Sequence, residues 1–276
     1  MEEPSLQQRL WRGTGVVIYA IRPLFFFLCF PALLMSFGML LMGGRDPQVL
    51  ISQSGNFYYA LGIGLAMVVL HKRSRKKNSS LWQDATLDLH ELAWKRIGLL
   101  LGTGVGLAVA FSALITILPL PESWMLSYRS SSEGFREGTD PLLAMISTVC
   151  LAPAAEEIVF RGYVLGRLLK GFNERIGILL SAFLFALCHV SFIWMIYAGI
   201  MGILLGWVSI REDNTIYAVA LHIGFNLSVL PVTLINGKEE WKALFFGSTV
   251  RIVLWGLGAA LLAYWAFRRY IQEEIG

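Results

Sequence analysis

The 276-residue chain has a mean hydropathy of +0.61, with 56% hydrophobic and only 15% charged residues. A soluble globule of this size needs more charge to cover its surface, so the composition excludes a large soluble domain. The net charge of +4 is concentrated between apolar stretches, which suits membrane-flanking loops rather than a nucleic-acid surface. Cys29, Cys150 and Cys188 all lie within apolar stretches, which excludes a disulfide framework.

In chain order, MEEPSLQQRLWRGTG lacks the plan of a cleavable signal and is expected as a short cytosolic lead-in. Eight segments then reach or approach the roughly 20 apolar residues that a bilayer core about 30 Å thick requires. They are Leu24–Met42, Tyr58–His71, Ile97–Leu118, Leu142–Tyr163, Ile176–Val190, Phe192–Val208, Ile216–Leu234 and Val250–Phe267. The expected fold is therefore an all-α integral membrane protein of about eight transmembrane helices. Within one membrane domain, residues 1–140 carry helices one to three, 141–235 helices four to seven, and 236–276 helix eight. With the N-terminus inside, 15 Lys and Arg fall on cytosolic segments and 6 on outside segments, which sets both termini in the cytosol.

Two connecting stretches stand out. LWQDATLDLHELAW carries an apolar stripe between tryptophans and is expected as a helix on the cytosolic surface. PESWMLSYRSSSEGFREGTD is expected as a polar outside loop. Gly202 and Gly206 form a small-xxx-small pair, and glycines crowd GTGVGLAVA; both indicate close helix packing.

A charge at bilayer depth costs upward of about 2.5 kcal/mol and needs a reason. Glu156, Glu157, Arg161, His189 and His222, joined by Asn226, are the residues that demand explanation, and they fall in spans four, five and seven. Glu157 and Arg161 are four apart and share a helix face as an ion pair. Glu156 points about 100° away, toward another neighbour. Glu156 and His189 are 33 residues apart, and the turn between their helices centres near Phe172–Asn173. In an antiparallel hairpin the two then sit at the same depth. His222 and Asn226 share a face of span seven, about 10 Å shallower than His189 unless helices four and five extend into the cytosol.

This set suits activation of water. Glu156 serves as general base, His189 and His222 hold the water or ligate a metal such as zinc, and Asn226 donates to a developing oxyanion. HExxH, a membrane aspartate and a GxSxG serine are all absent.

These residues carry a resemblance. EEIVFRG resembles the EExxxR motif of the CPBP family, which comprises CAAX prenyl endopeptidases of the Ras-converting-enzyme type and bacteriocin-processing and self-immunity proteins. FALCH is similar to its FxxxH-like run, and HIGFN to its HxxxN. The resemblance covers about Leu142 to Pro231. It implies a helical membrane fold around a cytosol-facing cavity, with proteolysis of a membrane-associated protein or peptide inside it. Glu156 matches the water-activating glutamate, Glu157 and Arg161 orienting and charge-balancing positions, and His189, His222 and Asn226 the remaining catalytic set. Asparagine is an unusual zinc ligand, which favours a glutamate mechanism or a weakly held metal on His189 and His222. The implied location is the bacterial plasma membrane; no nucleic-acid partner is expected. Two other readings of buried Glu, His and Arg are a proton-coupled transporter and a non-catalytic immunity or binding protein.

Overall fold

A computed structural model of the chain describes residues 6–41, 47–90, 92–134, 145–189, 191–228 and 238–273. The described residues are helical, with no strands among them. In order they form α1 (Leu6–Leu41), α2 (Pro47–Arg75), α3 (Leu81–Asp84), α4 (Trp94–Ile117) and α5 (Glu122–Gly134). Next comes α6, an unbroken run of Ser147–Leu151, Ala152–Glu157, Ile158–Leu165 and Gly166–Leu168. It is followed by α7 (Glu174–Leu187), α8 (Phe192–Glu212), α9 (Thr215–Leu227), α10 (Glu239–Phe246) and α11 (Thr249–Gln272).

Four stretches among the described residues are long and apolar enough to cross a membrane: Gly13–Leu41, Trp94–Ile117, Phe192–Glu212 and Thr249–Gln272. They coincide with the first, third, sixth and eighth expected spans. The other expected spans take different forms. The second falls within α2, whose ends are polar. The fourth falls on α6, and its start at Leu142 lies outside the described residues. The fifth is α7, whose 14 residues measure about 21 Å at 1.5 Å per residue. The seventh is α9, with 13 residues, and its continuation to Leu234 lies outside the described residues. Within the apolar helices, hydroxyl groups bond back to their own backbone. Ser36 donates to the Ala32 carbonyl at 2.9 Å and Thr103 to the Leu99 carbonyl at 2.8 Å, so neither hydroxyl lacks a partner in a low-dielectric setting.

The chain divides into two units, residues 1–88 with 126–215, and residues 89–125 with 216–276. In the first, α6 packs against α1, α2, α7 and α8. The core it organises includes Leu24 and Phe27 of α1, Leu70 of α2, Val159 and Phe160 of α6 and Phe185 of α7. In the second, α4 packs along α11. The glycines of GTGVGLAVA do what the sequence indicates. A side chain on Gly104 would strike the Leu221 carbonyl and Phe225 amide of α9, and one on Gly106 would strike Ala259 and Ala263 of α11. Lys95 and Glu273 close the same unit with a 2.7 Å ion pair.

Both connecting stretches depart from expectation. The segment after α2 is a strap, not a long surface helix: α3 covers only Leu81–Asp84, held by a Ser80–Gln83 capping box. Beyond α3 the strap spends its backbone groups on the turn between α8 and α9. Thr215 donates its amide to the Thr86 carbonyl at 2.9 Å and its hydroxyl to the Ala85 carbonyl at 2.8 Å. The Asn214 amide donates to the Asp88 carbonyl at 2.8 Å. Asp84 accepts from Ser74 at 2.6 Å and Ser79 at 2.7 Å, which ties the strap to the end of α2. In the second stretch, Glu122–Gly134 forms α5 after Pro121, whose carbonyl caps the first turn by accepting from the Trp124 amide. The remainder, to Asp140, lies outside the described residues.

Candidate functional site

Glu156 and Glu157 close the central α-helical segment of α6, between two π-helical turns. Pro153 accounts for the first widening. It has no amide hydrogen and its ring crowds the carbonyl four residues back, so the preceding turn shifts to a wider register. The Ala152 amide accordingly bonds to the Ser147 carbonyl, five residues back. Such insertions in helices mark functional positions often enough to single out this one.

The two carboxylates face different surroundings, as their 100° offset requires. Glu157 is fully buried, and Arg161 Nη1 donates to its Oε1 at 3.0 Å. Arg161 Nη2 donates to the Gly202 carbonyl of α8 at 3.1 Å, and the guanidinium lies 4.6 Å from the centroid of the Phe185 ring. The pair is thus built into the core. Gly202 explains the close approach: a side chain there would press on Ala182 of α7. The small-xxx-small pair is a packing surface for α7, with Gly206 facing Ile178 in the same way.

Glu156 is only half-buried. Its carboxylate lies within hydrogen-bonding reach of the Tyr59 hydroxyl of α2 and within electrostatic reach of Cys188 and Tyr197. Cys188 is the C-cap of α7 and the neighbour of His189. The α6–α7 turn falls where the count puts it, since Asn173 caps α7 by accepting from the Ile176 amide at 3.0 Å. The hairpin therefore returns the end of α7 to the level of Glu156.

His189 follows the last turn of α7, and its ring Nδ1 is 2.9 Å from the Phe185 carbonyl. A carbonyl only accepts, so Nδ1 carries the hydrogen and Nε2 is the acceptor nitrogen of the neutral ring. Phe185 also meets the imidazole edge-on, with centroids 4.9 Å apart. One buried phenyl ring thus touches both the Arg161 guanidinium and His189. Trp194 of α8 flanks the imidazole at 6.3 Å.

His222 and Asn226 lie one turn apart on α9, in the other unit. His222 is buried and Asn226 half-buried. Among the described residues, no group of three or more His, Cys, Asp or Glu is arranged to hold a metal ion. The metal ligation expected of His189 and His222 gains no support from this donor set.

The hydropathy pattern did not single out Tyr59, whose hydroxyl opens an otherwise apolar run, nor could it show that Gly202 would lend a carbonyl to Arg161. Tyr59 carries no formal charge, so nothing in the hydropathy pattern sets it apart.

Residues 138–228 match the family model described as type II CAAX prenyl endopeptidase Rce1-like. All three motifs fall inside that range. This segment, about a third of the chain, is similar to that family. A curated relative, the UPF0177 protein YxdF of Lactococcus lactis subsp. lactis (strain IL1403), is 29% identical over 141 residues, covering 48% of this chain and 75% of the relative. No solved structure matches. The resemblance read from EEIVFRG, FALCH and HIGFN is borne out. The matched family is one of proteases, and this similarity together with four helices long and apolar enough to cross a bilayer points to an integral membrane protein.

Proposed function

We propose that this chain is an intramembrane endopeptidase that hydrolyses a peptide bond of a membrane-bound protein or peptide. The observation that carries the reading is the division of labour within EEIVFRG: Glu157 is neutralised by Arg161 in the core, while Glu156 stands half-exposed near the end of α7. Glu156 takes a proton from water, the resulting hydroxide attacks the carbonyl carbon, and the proton passes to the leaving amine. His189, with Nε2 as acceptor, orients that water. The HxxxN motif assigns His222 a similar part and Asn226 the donation of a hydrogen bond to the oxyanion. The reaction needs no metal in this reading. Eight spans, a cytosol-facing cavity, both termini in the cytosol and a bacterial plasma membrane complete the proposal, with the lipid bilayer as partner and no nucleic acid.

The test is reconstitution of the full chain in phosphatidylethanolamine–phosphatidylglycerol vesicles. Two substrates are offered: membrane proteins of the expression host, and a farnesylated peptide ending in a CAAX sequence beside its unprenylated counterpart. New termini found by mass spectrometry support the proposal, and cleavage of the farnesylated peptide alone assigns prenylated substrates. Proton-coupled solute flux without any new terminus would replace it with a transporter.

A further inference from the structure

Glu156 has two oxygens, and a general base uses one. What holds the other decides where the base points and how well its charge is tolerated in a low-dielectric surrounding. The Tyr59 hydroxyl lies within hydrogen-bonding reach of this carboxylate and is placed to donate to it. Tyr59 reaches it from a different element, since α2 packs directly against the segment of α6 that carries Glu156. Its ring rests on the buried core that includes Ala152, Ala155 and Val159, so its position is fixed by packing and not by the hydrogen bond alone. Tyrosine suits this task. It is a rigid donor with two side-chain torsions, and it brings no charge to compete with the reaction. Its neighbour Tyr58 lies instead against Gly38 of α1.

We infer that Tyr59 is a positioning residue for the proposed peptidase, holding the Glu156 carboxylate so that its remaining lone pairs face the attacking water. The inference rests on the proposed function and adds a residue outside all three motifs. The hydrogen bond has a charged acceptor, the stronger kind. Its loss removes one restraint on the carboxylate, and the reacting geometry is then sampled less of the time.

Tyr59→Phe removes one oxygen and keeps the ring. In the vesicle assay it is expected to lower kcat by about 10- to 100-fold with KM unchanged. The melting temperature should stay within about 2 °C of wild type, because the ring packing is intact. Tyr58→Phe is expected to leave kcat unchanged. In a Glu156→Asp background the shorter side chain no longer meets the hydroxyl, so Tyr59→Phe should cost much less there than in the parent, a coupling that a merely structural role would not produce. Unchanged kcat in Tyr59→Phe, or a raised KM at full kcat, overturns the inference; the latter would make Tyr59 a substrate contact. Glu156→Gln separates the two levels. If it retains full cleavage, the proposed function of Glu156 fails; if it is inactive while Tyr59→Phe is fully active, only the role of Tyr59 fails.

Discussion

Arg161 donates through Nη1 to Glu157 Oε1 across 3.0 Å, with both side chains closed off from solvent. Breaking such a pair strands a charge in the core at a cost of about 3–5 kcal/mol, whereas removing both charges together is far cheaper. Glu157→Leu and Arg161→Met alone are each expected to lower the melting temperature sharply in detergent. The double variant should recover most of the loss, measured by thermal denaturation of the purified chain.

Gly162 lies between Arg161 and Tyr163 where the strap crosses α6. A side chain at this position would come within 2.6 Å of the Ala85 Cα and Cβ. Backbone cannot retreat cheaply, so Gly162→Ala is expected to cost about 1–3 kcal/mol. Thermal denaturation gives the magnitude.

Asn214 holds the strap from the other side, donating to the Asp88 carbonyl at 2.8 Å. Asn214→Ala leaves that carbonyl without its donor and should free the strap locally, at about 1–3 kcal/mol. Limited proteolysis is the readout: the variant is expected to be nicked between Ser79 and His90 faster than wild type.

The Phe185 carbonyl fixes the His189 tautomer with Nε2 as acceptor. His189→Ala should reduce kcat by at least about 100-fold, a usual scale for losing a group that handles protons. Its fold should persist, because the core contacts of Phe185 with Phe160 and Arg161 remain. Vesicle cleavage together with a melting curve checks both halves.

In the proposed mechanism Glu156 activates the water without a metal. Cleavage is expected to survive treatment with a strong chelator followed by metal analysis of the protein. Activity lost on chelation and restored by zinc would contradict the glutamate mechanism.

Much of the site was legible because a bilayer makes polar residues conspicuous. The Glu157–Arg161 pair followed from four-residue spacing, and the return of α7 to the level of Glu156 followed from counting to a turn that Asn173 caps. The strap was not legible. Its apolar stripe suggested a surface helix, but its backbone groups are taken by Asn214 and Thr215, more than 120 residues away, and hydropathy does not encode that pairing. Nor was the widening in α6, where Pro153 shifts the register of a run that hydropathy reads as one uniform span. Tyr59 stayed hidden because a neutral hydroxyl leaves no mark on a charge search.

The central claim is that Glu156 performs the chemistry while Glu157 and Arg161 hold the frame. Its most direct measurement is the cleavage rate of Glu156→Gln against wild type in the same vesicles, with melting temperatures recorded alongside. Glutamine keeps the shape and can still accept from Tyr59, so the variant should melt like wild type. Its cleavage should fall by about 100-fold or more. Cleavage by Glu156→Gln at the wild-type rate would contradict the account.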